Sequence, residues 1–169
     1  MLHYLFLVLR FLHVFGGAFW FGSAMMVGFM VTPTVAATGE VGQKFMAALV
    51  QKANLTKRIA AAGGLTILAG AGLYWMDSNG LTSAWMKSSP GVVFFIGGFF
   101  GLIGFIFGML IGKNVNTIVK TGSEIQGKPT PEQLGVIQAA QKQLKVVGPI
   151  SSFSLIIAAI CMSVARYWF

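Results

Sequence analysis

Charged residues are scarce in this sequence. Its 169 residues include four Asp or Glu and 12 Lys or Arg, so 9% are charged, whereas a soluble domain has about 25%. Hydrophobic residues make up 56%, and the mean hydropathy is +0.77. A single domain of this length cannot bury so much apolar surface in its own core. The composition therefore excludes an ordinary soluble protein and indicates a membrane protein whose apolar surface contacts the lipid bilayer.

Cysteine and histidine are almost absent too. Cys161 is the only cysteine, which excludes a disulfide or a thiolate metal cluster within one chain. His3 and His13 are the only histidines. A four-helix di-haem cytochrome needs about four axial histidines, so this count excludes one.

Four hydrophobic segments are each long enough to cross the hydrocarbon core, which takes about 20 residues. They cover residues 2–31, 59–76, 91–112 and 146–167. We expect the first to end at Thr32-Pro33, because the residue before a proline disfavours helix. No positive region precedes this segment and Arg10 interrupts it, so we interpret it as a retained helix and not as a signal peptide. The predicted fold class is all-α, a polytopic membrane protein with one four-transmembrane-helix bundle.

The basic residues are concentrated between the hydrophobic segments. Connections 34–58 and 113–145 hold four and five Lys or Arg, while the middle connection, 77–90, holds only Lys87. The positive-inside rule therefore predicts that both basic connections are cytoplasmic. Both termini then lie on the outer face of a bacterial-type inner membrane, an N-out/C-out topology. Because the net charge of +8 resides mostly in these connections, we expect no nucleic-acid partner.

Both basic connections carry helix signals. Thr130, Pro131 and Gln133 supply an N-cap, a first-turn proline and a capping-box partner, which predicts a helix that runs into the fourth segment. Residues 40–53 have the pattern of a short amphipathic helix at the membrane surface. We expect the third helix to continue past residue 113 and end near Gly127, which gives helical cytoplasmic extensions.

Small residues recur at helical spacing and predict close helix packing of the GxxxG type. The third segment has a glycine stripe made of Gly97, Gly101, Gly104, Gly108 and Gly112. Two other segments each have a helix face made of small residues. These are Ala62, Thr66 and Gly70 in the second segment, and Ser151, Ser154, Ala158, Cys161 and Ala165 in the fourth. The alternative is that the glycine stripe lets a flat cofactor or a lipid approach the backbone.

Two ionisable side chains inside the first segment define the candidate site. Arg10 and His13 are three residues apart and share a helix face with Gly17 and Trp20. Ionisable groups inside a span are functional candidates by default. A haem b fits this pattern, with His13 as the axial metal ligand, Arg10 at a propionate, and Gly16 and Gly17 allowing the ring to approach.

Other interpretations of these residues stay open. Arg10 can extend to the interface and pair with Asp77, and His13 can simply hydrogen-bond a neighbouring helix. His3 and His13 are ten residues apart, about 15 Å along a helix. They cannot ligate one haem, so a sixth ligand would come from a second subunit, a methionine or nothing.

Catalysis and copper handling have little support in these residues. No carboxylate lies inside a hydrophobic segment, and no Ser-His-acid set is present. We therefore favour a protein without catalytic residues. The methionines do not recur at MxxM-type spacing together with histidines, as the ligands along a copper-transport route would. This distribution is typical of methionines that fill gaps in the packing or face lipid.

The first half of the chain resembles a known grouping. The stretch from His13 through Trp20 and Gly22 to Pro33 is similar to the first span of the copper-resistance D (CopD) superfamily of four-helix membrane proteins, and to that of HemJ-type protoporphyrinogen oxidases. Residues 55–75 are similar to their second span. The resemblance implies haem binding through His13. The functional lysine that HemJ-type proteins carry at the start of the third span has no counterpart beyond Lys87, where the sequence reads Ser-Ser-Pro-Gly.

The sequence therefore favours a four-helix membrane protein that binds one haem b through His13 and is associated with electron transfer. The first alternative is a structural or accessory subunit that docks through the glycine stripe and the basic connections. A second is a porphyrin-metabolism oxidase or a copper-handling protein. For partners we expect the bilayer and either a homo-oligomer or a larger membrane complex.

Overall fold

The computed structural model describes residues 2–168, and all the regular elements in that range are helical. The six α-helices are α1 Leu2–Met26, α2 Thr32–Ala37, α3 Glu40–Gln51, α4 Leu55–Asp77, α5 Ser89–Ser123 and α6 Pro131–Val164. Short 3₁₀ turns cover Ala84–Lys87 and Ala165–Tyr167. Four stretches are long and apolar enough to cross a membrane, namely Leu2–Ala37, Leu55–Asp77, Ser89–Ser123 and Pro131–Tyr167. The prediction of four helices long and apolar enough to span a membrane is confirmed.

The first helix does not end at Thr32-Pro33, so that prediction is wrong. A π-helical turn over Val27–Val31 joins α1 to α2, and the Thr32 amide donates to the Val27 carbonyl five residues back. The Thr32 hydroxyl donates to the same carbonyl at 2.8 Å. The π turn thus lies just before Pro33, which has no backbone N–H to donate, and the helix continues through the proline into α2.

The helices pack in the order α1, α4, α5, α6. The α5–α6 pair is the most extensive, α1 packs on α4, and α1 makes few contacts with α6. We call the end of the bundle that carries α3, the start of α4 and the α5–α6 connection the basic end. The opposite end, with residues 2–10, 74–90 and 165–168, is the aromatic end.

Glycines of α5 lie directly against α6. A Cβ built at Gly97 would lie 2.9 Å from the Cys161 Cβ, and one at Gly104 would lie 2.6 Å from Leu155 Cδ2. Ser151 is buried and donates from its hydroxyl to the Gly104 carbonyl at 3.0 Å. Gly97 and Gly104 of the glycine stripe are therefore covered by α6 within the same chain, which leaves no room for a flat ligand at these two positions.

Helix boundaries at the basic end follow the local signals closely. The Thr130 hydroxyl accepts from the Gln133 amide, and the Gln133 side chain accepts from the Thr130 amide, which completes a capping box. Helix α5 extends past residue 113 but ends at Ser123, before the predicted end near Gly127. Gly127 has φ +87 in the connection, a conformation that suits glycine.

Helix α3 spans Glu40–Gln51, two residues shorter than predicted, and α4 begins at Leu55, four residues earlier than predicted. Lys44 and Glu40 form an exposed ion pair at 2.7 Å. The hydrogen bond and charge of Lys44 hold the pKa of the Glu40 carboxyl below its usual range. Because most of α2, all of α3 and the start of α4 lie within connection 34–58, this connection is mostly helical.

Candidate functional site

His13 is fixed on the neighbouring helix by one hydrogen bond. Its Nδ1 lies 2.8 Å from the backbone carbonyl oxygen of Thr66 on α4. A carbonyl only accepts hydrogen bonds, so Nδ1 carries the proton and donates it. In the neutral imidazole the other nitrogen, Nε2, then presents a lone pair.

Nε2 of His13 lies farther from Gly70 of α4 than Nδ1 does. A Cβ built at Gly70 would lie 2.7 Å from Cε1 and 2.8 Å from Nδ1 of His13, but 3.7 Å from Nε2. Within residues 2–168 Nε2 has no hydrogen-bond partner, and the only buried side-chain nitrogen or oxygen without a partner is Ser83 Oγ. Nε2 is therefore reachable from the surface of the bundle.

Thr66 belongs to both the histidine contact and the helix packing. It is buried, and its hydroxyl donates to the Ala62 carbonyl at 2.8 Å. A Cβ at Gly16 would lie 2.9 Å from Thr66 Oγ1, and one at Gly17 would lie 3.4 Å from Thr66 Cγ2. The two glycines of α1 thus bring the helices close enough for His13 to reach the Thr66 carbonyl. In this chain they contact a helix and do not line a space for a ring.

Trp20 lies in the core between three helices. It is 6% exposed, and its ring meets the Phe105 ring edge to face with centroids 5.9 Å apart. A Cβ at Gly63 would lie 2.9 Å from both rings. Trp20 therefore shares a helix with His13 but packs into the interior, away from any ligand at Nε2.

Arg10 is exposed at the aromatic end, one helical turn from His13. The charges of Arg166 and Arg10 both act on the carboxylate of Asp77. In the described range the only ion pair within 4.0 Å is Glu40–Lys44, so these three charges interact without direct contact. The guanidinium of Arg10 keeps its donors available for an anion on the same side of α1 as His13.

The other sequence candidates lie apart from this site. His3 is exposed near the start of α1, and its ring stands edge-on to Tyr4 with centroids 6.1 Å apart. Met26, Met30 and Met109 are at least half exposed. Residues 2–168 contain no cluster of three or more His, Cys, Asp or Glu able to hold a metal ion.

The structure thus brings together His13, the Thr66 carbonyl and Gly70, with Arg10 one turn away. Thr66 and Gly70 were recognised from the sequence only as small packing residues. Every residue has a backbone carbonyl, so residue type does not reveal which carbonyl accepts a hydrogen bond. The only sequence signal for this contact was the row of small residues, Ala62, Thr66 and Gly70, on one face of the second segment. Chemically, the arrangement offers one oriented imidazole nitrogen able to ligate a metal, plus a nearby cation.

Comparisons of the chain with protein-family models, with curated proteins and with solved structures gave no match.

Proposed function

We propose that this chain is a multi-pass membrane protein that binds one haem b, with Nε2 of His13 as an axial ligand to iron. The observation that carries the proposal is the 2.8 Å hydrogen bond from His13 Nδ1 to the Thr66 carbonyl. Metal-ligating histidines almost always donate their second ring N–H to a carbonyl or carboxylate, which fixes the tautomer and makes the ligating nitrogen more basic. Nε2 of His13 has no hydrogen-bond partner within residues 2–168, so its lone pair is available to a ligand.

The residues around His13 fit a haem approaching from the surface of α1. The Thr66 carbonyl holds the imidazole, and Gly70 leaves room for the ring edge. Arg10 lies three residues away, about 4.5 Å along the helix, where its guanidinium would bind a carboxylate such as a propionate. Haem, when bound, supplies one-electron chemistry. Gly17 and Trp20 act in this scheme by fixing α1 against α4, and not by contacting the ligand.

The second axial position is not supplied by His3. With ten residues, about 15 Å of helix, between the two histidines, both cannot reach one iron. A second copy of the chain or a methionine would complete the coordination. The first option makes the protein a homodimer around the haem, consistent with a single usable histidine in each chain.

We place the protein in a bacterial-type inner membrane with both termini outside. The support is the distribution of Lys and Arg, with four and five in the two connections at the basic end and one in the connection at the aromatic end. The accessory-subunit alternative is weaker, because α6 covers Gly97 and Gly104 of the stripe through which it would dock. Electron transfer between membrane partners is therefore the role we favour.

The test is a visible spectrum of the full chain purified in mild detergent from cells supplied with a haem precursor. A Soret band that sharpens and shifts on reduction with dithionite, with about one haem for one or two chains, supports the proposal. Protein that is folded by circular dichroism but has no Soret band overturns it.

A further inference from the structure

An open surface cavity of about 370 Å³ lies at the basic end, between the end of α3, the start of α4 and the end of α5. This volume is within the range of roughly 300–1,000 Å³ typical of small-molecule sites. Its floor includes the buried side chains of Val50 and Val119. The cavity is remote from His13, since it lies beyond the opposite end of the apolar stretch of α4.

The lining of this cavity carries positive charge and no negative charge. Lys57 from α4 and Lys120 from α5 both line it, and none of its lining residues is acidic. Neither lysine forms an ion pair with a carboxylate in residues 2–168. Asn116 also lines the cavity, and its side-chain oxygen already accepts from the Thr56 hydroxyl at 3.1 Å, which leaves the amide NH₂ as a donor. The cavity thus presents two cations and a neutral donor, a set that suits an anion.

The cavity lies next to the level at which the apolar stretches of α4 and α5 end. A Cβ at Gly112 would lie 3.8 Å from the Thr56 Cβ, so α4 and α5 enter their apolar stretches at the same level. Asn116 is four residues beyond Gly112, about 6 Å along the helix. The polar layer on each side of a bilayer is about 5–8 Å thick. In a bilayer crossed by the apolar stretches of α4 and α5, the two lysines would therefore lie near the phosphates of one leaflet.

We infer that this cavity binds a phosphate group, supplied by the head group of an anionic phospholipid. Basic cavities at the membrane surface are suited to such head groups, because each exposed lysine ammonium attracts the negatively charged phosphodiester. The apolar floor at Val50 and Val119 contacts the glycerol carbons. The bound lipid would join α3, α4 and α5 at a place where α3 has few contacts of its own with the bundle.

The experiment is native mass spectrometry of the purified full chain in mild detergent, titrated with phosphatidylglycerol or with phosphatidylcholine. We expect tighter binding of phosphatidylglycerol. Lys57→Gln and Lys120→Gln should each weaken it about fivefold, and the double variant about 20-fold, because each cation near the surface contributes a similar increment. The matched control is the double variant Lys128→Gln, Lys142→Gln, which removes equal charge from two lysines that are likewise exposed but do not line the cavity. It should stay within about twofold of the parent protein.

Three results would overturn the inference. Equal affinity for the two lipids removes the role of anionic charge, and equal losses in the two double variants indicate a diffuse basic surface and no site. A second arm titrates inorganic phosphate and follows its ³¹P resonance. Saturable phosphate binding that needs both lysines, without any preference for phosphatidylglycerol, would replace the lipid by free phosphate.

The variant Lys57→Arg, Lys120→Arg keeps both charges and should keep binding. It therefore distinguishes an effect of the lost charge from an effect of misfolding.

Discussion

His13 and Thr66 are joined by a 2.8 Å hydrogen bond from an imidazole nitrogen to a backbone carbonyl. Because the acceptor is backbone, no side-chain substitution at residue 66 can delete it. The bond depends instead on the distance between α1 and α4, which the contacts of Gly16 with Thr66 and of Gly70 with His13 determine. The orientation of the candidate ligand is therefore controlled by glycines.

Gly70→Ala should weaken haem binding although His13 itself is not substituted. The new Cβ would lie 2.7 Å from His13 Cε1 and 2.8 Å from Nδ1, so the ring must move and the bond to Thr66 must lengthen. Loss of such a supporting contact typically lowers metal affinity 10- to 100-fold. We expect at least about a tenfold loss of Soret absorbance per chain at limiting haem.

The matched control is Gly64→Ala on the same helix. There the new Cβ would meet only Phe105 Cζ, at 3.8 Å, an ordinary contact. This variant should bind haem like the parent protein. Equal haem content in the two alanine variants would show that the His13 ring is not held against Gly70.

Gly104→Ala should destabilise the bundle. Leu155 is 4% exposed and cannot move aside, and the new Cβ would lie 2.6 Å from its Cδ2. Overpacking of this kind costs about 1–3 kcal/mol. Thermal unfolding in detergent should show a lower midpoint for Gly104→Ala than for Gly98→Ala, where nothing lies within 4 Å. Identical midpoints would contradict the α5–α6 packing described above.

Thr130→Ala should loosen the start of α6. The hydroxyl of Thr130 accepts from the Gln133 amide at 3.2 Å, and losing an N-cap of this type costs about 1 kcal/mol. Hydrogen exchange of the segment that begins at Pro131 should become faster. Thr130→Ser keeps the acceptor and should exchange at the parental rate. If alanine and serine behave alike, the capping box contributes nothing.

The proposed topology is tested by reporter fusions. Alkaline phosphatase is active only outside the cytoplasm, so a fusion at the C-terminus should be active and one after Lys120 inactive. This follows from the excess of Lys and Arg at the basic end. The reverse pattern of activity would invert the orientation that we propose.

The helices were largely predictable because their signals are local. The hydrophobic segments, the start of α6 at Thr130-Pro131 and the extension of α5 beyond residue 113 all follow from neighbouring residues. The passage of the first helix through Pro33 was not predictable. It coincides with a π turn over Val27–Val31 and with a hydrogen bond from the Thr32 hydroxyl to the Val27 carbonyl, and neither feature has a signature in residue type.

The candidate site was predictable only in part. Helical spacing placed His13, Gly17 and Trp20 on one face, and the structure keeps them there. Spacing does not say what that face contacts, and the structure packs Gly17 and Trp20 against other helices. The bond to Thr66 joins residues 53 positions apart, and a contact that ends on a backbone carbonyl has no signature in side-chain type.

The central claim, that Nε2 of His13 ligates a haem iron, is tested most directly by comparing His13→Ala with His3→Ala in the same spectrum. Both variants remove one histidine from α1, and His3 is exposed and about 15 Å away along the helix. We expect His13→Ala to abolish the Soret band and His3→Ala to leave it intact. A parental Soret band in folded His13→Ala protein would contradict the account.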